Sequence, residues 1–281
     1  MINQSALKLK SKSKSNTRRK KKQSSNQNGN RDCDNKTSTI YSQNVHGIFE
    51  SSKDMNGDPI PGKRSYAKID FIVKKMEKDS IDAYLLQETW DENDWIRERN
   101  DGYTVFHHND NEKKSRTGVA IVLSPRYSKA WKTAGGLPPV QTPRGEFEGR
   151  FMGLLLKFPL LNNSGNMIEN KWTKVVLATV YHPWDTSYAE FNSLLDELID
   201  TLPNNDGIIM GGDMNASVGR RDCEELDDVL GPFGLDKRNE KGRDLLETYQ
   251  ANQLCIMNTF FSSQTYVTHE SFNAEKNEEH A

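Results

Sequence analysis

The chain has 281 residues, 34% of them hydrophobic and 28% charged, with a formal net charge of −2. That length holds one large domain or two small ones, and the low hydrophobic share predicts that part of the chain stays unfolded. Its longest apolar runs, Val175–Tyr181 and Gly153–Leu156 with their neighbours, fall well short of the roughly 20 residues of a membrane helix, so no membrane association is expected.

Residues 1–36 carry eleven Lys and Arg against two Asp, net +9, while the remainder holds 27 basic and 38 acidic residues, net −11. The alternating Lys8, Lys10, Lys12 and Lys14 and the run Arg18–Lys22 sit among Ser, Asn and Gln. Such a segment buries too little surface to offset the entropy of ordering, so residues 1–38 are expected to form a disordered basic tail. It reads either as a nuclear-import signal or phosphate-binding arm, or as a solvated tail without a partner. It lacks the apolar stretch of a secretory signal. The three dispersed cysteines, Cys33, Cys223 and Cys255, exclude a disulfide scaffold and a CxxC zinc site. Both features suit a reducing compartment, nuclear or cytoplasmic.

From Thr39 onward the texture is that of a folded domain, 39–281. Thr39–Val45 alternates like a strand. Lys63–Lys78 carries Ile69, Ile72, Val73 and Met76 at helical spacing. Ile81–Leu86, Tyr103–His107, Thr117–Leu123, Phe151–Phe158 and Lys174–Tyr181 read as strands. Ser187–Leu202 reads as a helix, with Ser187 and Glu190 as a capping box and Pro203 after its end. Gly207–Met210 is a buried strand, Gly242–Asn252 a helix and Leu254–Met257 a last short strand. Segments 51–62, 108–116 and 132–149 read as loops, and Trp90–Trp95 as a surface loop or short helix. Strands and helices mix without strict alternation, which predicts an α/β sandwich with mixed sheets.

Four strands end in a chemically capable group: Asn44, Glu88, Tyr181-His182, and Asp213 with Asn215. Polar groups at converging strand ends are where sheet proteins build sites. In Gly211-Gly212-Asp213-Met214-Asn215, the two-residue spacing would put Asp213 and Asn215 on one face of an extended segment. There the carboxylate could take a proton from water while the amide orients it or a phosphate oxygen. A plain turn is the competing reading. A calcium loop is excluded, because Val218 stands where that loop needs Gly. Glu88 reads as a solvated strand end or a Mg²⁺ ligand, Asn44 as a turn amide or part of the same site, and Tyr181 as a core-edge aromatic or a site residue. Adjacent His107 and His108 face opposite ways on a strand and read as structural or exposed.

In order along the chain stand Gln43-Asn44-Val45-His46-Gly47, Leu86-Gln87-Glu88-Thr89, Thr179-Val180-Tyr181-His182-Pro183 and Gly211-Gly212-Asp213-Met214-Asn215-Ala216. This succession resembles the endonuclease/exonuclease/phosphatase superfamily. Asn239–Leu246 followed by Leu254–Phe261 narrows the likeness to apurinic-type endonuclease domains of LINE-like retroelements and to craniofacial-development-protein-2-like sequences. The resemblance implies a four-layer α/β sandwich, two mixed β-sheets flanked by helices. It implies a Mg²⁺- or Mn²⁺-dependent phosphodiester hydrolase acting on DNA or RNA, with no obligate protein partner. Carried over by position, Glu88 is the metal ligand, with Asn44 beside it. Asp213 orients or deprotonates water, Asn215 positions Asp213 and the phosphate, and Tyr181 contacts the phosphate. Two departures stand out. His46 follows Asn44 by two residues, where many relatives have a polar or acidic group near the metal. No Asp follows Asp244, so the family's late Asp and terminal Asp-His pair are absent and the domain is expected to lack its last strands beyond Thr265–His269. The alternatives are an inactive remnant that at most binds nucleic acid, and a phosphatase or RNA-tail nuclease on the same fold.

Overall fold

The structure, a computed structural model, describes residues 37–48, 67–91, 93–109, 117–162, 166–184, 187–221, 228–235 and 237–262, together with the backbone of 5–8, 50–53 and 59–65. In chain order the elements are β1 (Ser5–Lys8), β2 (Thr39–Asn44), β3 (Glu50–Lys53), β4 (Pro59–Ser65), α1 (Ala67–Lys78), β5 (Ala83–Gln87), β6 (Trp95–Glu98), β7 (Thr104–His108), β8 (Val119–Leu123), α2 (Pro125–Thr133), β9 (Val140–Gln141), β10 (Phe151–Leu161), β11 (Met167–Tyr181), α3 (Tyr188–Asp200), β12 (Gly207–Asp213) and α4 (Glu240–Ala251). One sheet runs β1-β2-β5-β8-β7-β6, with only β2 and β5 parallel. The other runs β12-β11-β10-β9, with only β11 and β12 parallel. β3 and β4 form a separate hairpin.

The central strands β5, β7 and β8 and the C-terminal half of β11 are buried on two faces, while β12, expected to be buried, is only partly so; the side-chain period of two explains the double burial. In β5, Ala83 and Leu85 point into the inter-sheet core with Ile121, Leu123, Met152, Leu154 and Leu177. Their neighbours Tyr84 and Leu86 face outward onto the Ile69, Ile72, Val73 and Met76 stripe of α1. In β11, Val176, Ala178 and Val180 face outward onto Phe191, Leu195 and Leu198 of α3. The result is helix, sheet, sheet, helix. Among the described residues no helix is long and apolar enough to cross a membrane.

Several local expectations need correction. Ser5–Lys8, expected to be unstructured, pairs antiparallel with β2, Lys8 opposite Thr39 and Ser5 opposite Ser42. The open edge of β2 offers unpaired backbone groups, and a short strand satisfies them. Residues 9–36 lie outside the described residues, as does the expected Thr265–His269 strand. The first helix begins at Ala67, because 59–65 belongs to a hairpin that also occupies part of the expected 51–62 loop. Ser187 makes no side-chain capping bond to α3, so the capping box is not formed. Trp95 opens a strand in place of a loop or helix. Leu254–Met257 is not a strand: Ile256 makes one isolated bridge to Leu230, and Met257–Phe260 coils into a 3-10 turn. An unexpected helix, α2, follows Ser124, whose Oγ accepts from the Tyr127 N–H while Pro125 takes the first turn.

Candidate active site

The two sheets approach closely beneath the rim. A Cβ placed on Gly211 would stand 2.8 Å from Leu85 Cδ1 and 3.2 Å from Ser42 Cβ, so glycine permits the contact. Buried Gln87 ties the sheets together, donating to Thr179 Oγ1 at 2.9 Å and Ser42 Oγ at 3.2 Å. This cross-tie fixes the relative register of the strand ends just above it. β2 and β5 pair with Asn44 opposite Gln87, and β11 and β12 pair with Tyr181 opposite Asp213.

Five residues spread over the sequence therefore meet in one hydrogen-bonded set. Asn44 Nδ2 donates to Glu88 Oε1 at 2.5 Å and, more weakly, to Asp213 Oδ2 at 3.4 Å. The Tyr181 hydroxyl donates to the same Glu88 Oε1 at 3.1 Å. Burial, then the Glu88 carboxylate, raises the Tyr181 pKa, so the phenol keeps its proton and serves as a donor. Arg150 flanks this pair, its guanidinium 5.1 Å from the Tyr181 ring centroid and Nη1 donating to Tyr181 O at 3.3 Å.

Asn215 joins differently from the sequence expectation. The strand ends at Asp213, and Asn215 turns into the left-handed region at φ 46°, so the two do not share a face of an extended segment. Asn215 instead uses its backbone N–H to bind Asp213 Oδ1 at 3.1 Å, and its side chain donates to His182 O at 2.8 Å. Asn tolerates this backbone well, which reconciles the turn reading with the site reading.

The sequence reading left three neighbours without a role. His46 Nδ1 lies 2.9 Å from Glu88 Oε2. Lys68, on α1, reaches the carbonyls of Gly47 at 2.7 Å and of Val45 and His46 at 3.4 Å, pinning the loop after Asn44. Trp90, two residues beyond Glu88, lays its ring beside His46, centroids 5.9 Å apart. No local pattern around Lys68 or Arg150 announces these contacts. His107 and His108 are structural and buried. His107 accepts from Thr89 Oγ1 at 2.7 Å and donates to Asn93 O at 2.7 Å, while His108 lies 2.9 Å from both Asp94 Oδ1 and Thr142 Oγ1.

Residues 42–265 match the Endonuclease/Exonuclease/phosphatase family. The chain belongs to that family. Craniofacial development protein 2 of Bos taurus is 27% identical over 202 residues, covering 69% of this chain and 29% of its own length. The same protein of Tragulus javanicus is 26% identical over 202 residues, covering 69% and 30%. The chain thus spans under a third of these curated relatives. An AP endonuclease from Archaeoglobus fulgidus aligns at TM-score 0.42 and 16% identity, over 76% of this chain and 70% of that one. A humanized D. rerio TDP2 aligns at 0.32 and 16%, over 66% and 64%.

Family members are generally divalent-metal dependent, and the donor set can be tested against such an ion. Glu88 and Asp213 place two carboxylates around one amide, whose Oδ1, the atom able to ligate an ion, accepts from the His46 N–H at 3.3 Å and would have to turn toward it. Mg²⁺ and Mn²⁺ take one or two carboxylates and fill the remaining positions with water and substrate oxygens, so this sparse oxygen-rich set fits them. Among the described residues no group of three or more His, Cys, Asp or Glu side chains gathers to hold an ion, so an ion here would rely on a sparse protein set completed by water and substrate oxygens.

Proposed function

We propose that residues 39–281 form a metal-dependent phosphodiester hydrolase acting on nucleic acid, a DNA endonuclease of retroelement type, with Mg²⁺ or Mn²⁺ held by Glu88 and Asn44. The observation supporting this reading is the hydrogen-bonded convergence of Asn44, Glu88, Tyr181, Asp213 and Asn215 from strand ends of both sheets. When bound, the ion would polarise the phosphoryl oxygen and neutralise the leaving oxygen.

The chain's own groups divide the remaining work. Asp213 Oδ1 is held by the Asn215 N–H, and Oδ2, with its long 3.4 Å contact from Asn44, takes the proton of the attacking water. Asn215 keeps a second amide hydrogen for a phosphate oxygen, beside the one given to His182 O. The Tyr181 phenol steadies Glu88 and would contact the same phosphate. The basic residues Lys10–Lys36, which follow the strand Ser5–Lys8, add phosphate contacts to an otherwise acidic domain.

Nicking of supercoiled plasmid by the full chain tests the reading. Cleavage should require Mg²⁺ or Mn²⁺ and stop with EDTA. Asp213→Asn should cut the rate by roughly 10²–10⁴-fold while sparing DNA retention, since it removes a proton acceptor. Glu88→Gln should weaken metal dependence and rate together. Cleavage undiminished in Asp213→Asn would sink the assignment. Turnover of a phosphoinositide but not of DNA or RNA would overturn the substrate class.

A further inference from the structure

We infer that His46 is a further protein ligand of the divalent ion beside Glu88 and Asn44, making the site a mixed nitrogen–oxygen set that favours Mn²⁺ over Mg²⁺. The inference rests on the metal-site reading above and extends it to a residue that reading does not use. Glu88 Oε1 is already engaged by two donors, Asn44 Nδ2 and the Tyr181 hydroxyl. Among the described residues, Glu88 Oε2 meets His46 Nδ1, at 2.9 Å. The free carboxylate oxygen and an imidazole nitrogen thus stand side by side at the open edge of the cluster, with His46 64% exposed and Glu88 15%.

The separation is the one an ion would need. Neighbouring donors of an octahedral ion with bonds of about 2.1 Å lie roughly 3.0 Å apart. A hydrogen bond occupies the same spacing when no ion is present; loading the site keeps that spacing but turns the imidazole, its proton on Nε2, so that the Nδ1 lone pair faces the ion.

The placement of the ring is built rather than incidental. Both His46 and Glu88 occupy the left-handed region, at φ 46° and 54°, which disfavours ordinary side chains. Their loops are laced together by Val45 N–H to Gln87 O at 3.0 Å, Gly47 N–H to Glu88 O at 2.7 Å and Ile48 N–H to Thr89 O at 2.9 Å. Lys68 fastens the carbonyls of 45–47 from below, and the Trp90 ring abuts both Gly47 and His46. Strained backbone held by this many bonds is characteristic of a functional position. An imidazole donor shifts preference from Mg²⁺ toward later divalent ions, which accept nitrogen more readily.

The test is Mn²⁺ binding to the full chain, followed by titration of the free-ion electron paramagnetic resonance signal and by electron spin-echo detection of directly bound ¹⁴N. Wild type should show a coupled ¹⁴N and bind Mn²⁺ more tightly than Mg²⁺. His46→Gly, which suits the positive φ, should lose the ¹⁴N coupling and at least about tenfold in Mn²⁺ affinity. His46→Asp should lose the coupling but restore binding with a stronger Mg²⁺ preference. If Mn²⁺ binds wild type and His46→Gly equally with the same spectrum, while Glu88→Gln loses binding, His46 is not a ligand and the Glu88 site stands. If wild type binds neither ion, the His46 inference and the metal-site reading fall together.

Discussion

Acid should destabilise this fold before its carboxylates titrate, because two buried histidines are neutral. His107 lies behind Thr89 with its pKa pushed down to about 4 by burial. His182 is fully buried, stacked on Tyr188 at 4.1 Å and edge-on to Phe191 at 4.6 Å. Burial, then Arg150, pushes its pKa down to about 3. Asn192 lies beside the His182 ring, yet neither ring nitrogen completes a hydrogen bond among the described residues. In the unfolded chain each imidazole titrates near 6.5. Below that value the unfolded state binds protons that the folded state refuses, so stability falls as pH falls, and the loss is complete only at the folded values. Between pH 7 and pH 5 each histidine removes about 2 kcal/mol, together about 4 kcal/mol of a total of order 5–15 kcal/mol. Asp94 and Asp101 are held below the ordinary carboxylate value and lose their contributions only at lower pH, outside this window. Urea unfolding at pH 7 and pH 5, followed by tryptophan fluorescence, measures the difference. His107→Gln should retain only about half of the pH dependence, whatever its absolute stability. A wild-type stability that changes by less than about 0.5 kcal/mol across the window would refute the argument.

Three further perturbations separate site from scaffold. Tyr181→Phe deletes one of two donors to Glu88 Oε1 and leaves the buried ring in place, so Mn²⁺ affinity should fall about tenfold with little change in melting temperature; isothermal titration and a thermal melt check both. Gly118→Ala forces a Cβ to 2.3 Å from Thr89 Oγ1 at φ +103°, breaking the Thr89–His107 bond beside Glu88, and urea unfolding should report a loss of about 3 kcal/mol. Replacing Arg18, Arg19, Lys20, Lys21 and Lys22 by Ser and Gln leaves the Ser5–Lys8 strand intact. If the arm contacts phosphates, the slope of log affinity against log salt for duplex DNA should flatten by up to about 4 units.

Much of the scaffold was legible because the central strands of the sheets are covered on both faces. Ala83–Gln87 and Val119–Leu123 are wholly buried and read as short continuous apolar runs. The helices that cover the sheets carry clean stripes, Ile69 to Met76 and Phe191 to Leu198. α2 escaped notice because nine residues give only Tyr127, Ala130 and Trp131 as a stripe, although Ser124-Pro125 marked its start. The β3–β4 hairpin is rich in Lys, Gly and Pro, poor strand formers whose pairing comes from tertiary context. Within the site, Asn44, Glu88, Tyr181 and Asp213 were legible because each closes or directly follows an apolar strand. His46 was legible as an oddity and not as a partner of Glu88, since their contact spans 42 positions and a histidine does not advertise a left-handed backbone.

That backbone explains how a flat strand end becomes a site. Of the seven non-glycine residues with positive φ among the described residues, His46, Glu88, Trp90 and Asn215 lie at this rim. A strand continued in extended form would carry Glu88 away from Asn44 and Tyr181. A single left-handed residue reverses the chain at once and turns the carboxylate back over the sheet end, at a cost of about 1–2 kcal/mol per residue. The cost is borne by bonds made just beyond the turn. Thr89 N–H reaches Gly118 O at 3.1 Å, Trp90 N–H reaches Thr117 O at 2.9 Å, and Thr89 Oγ1 is held by buried His107. His107 is in turn stacked 5.3 Å from Trp95, whose indole donates to Asp91 at 2.6 Å. His107, one of the two neutral histidines that make the fold acid-sensitive, thus belongs to the same buried network that keeps Glu88 turned toward its partners. Protonating it would take away the acceptor of the Thr89 hydroxyl, so about half of the acid sensitivity is coupled to the geometry of the rim.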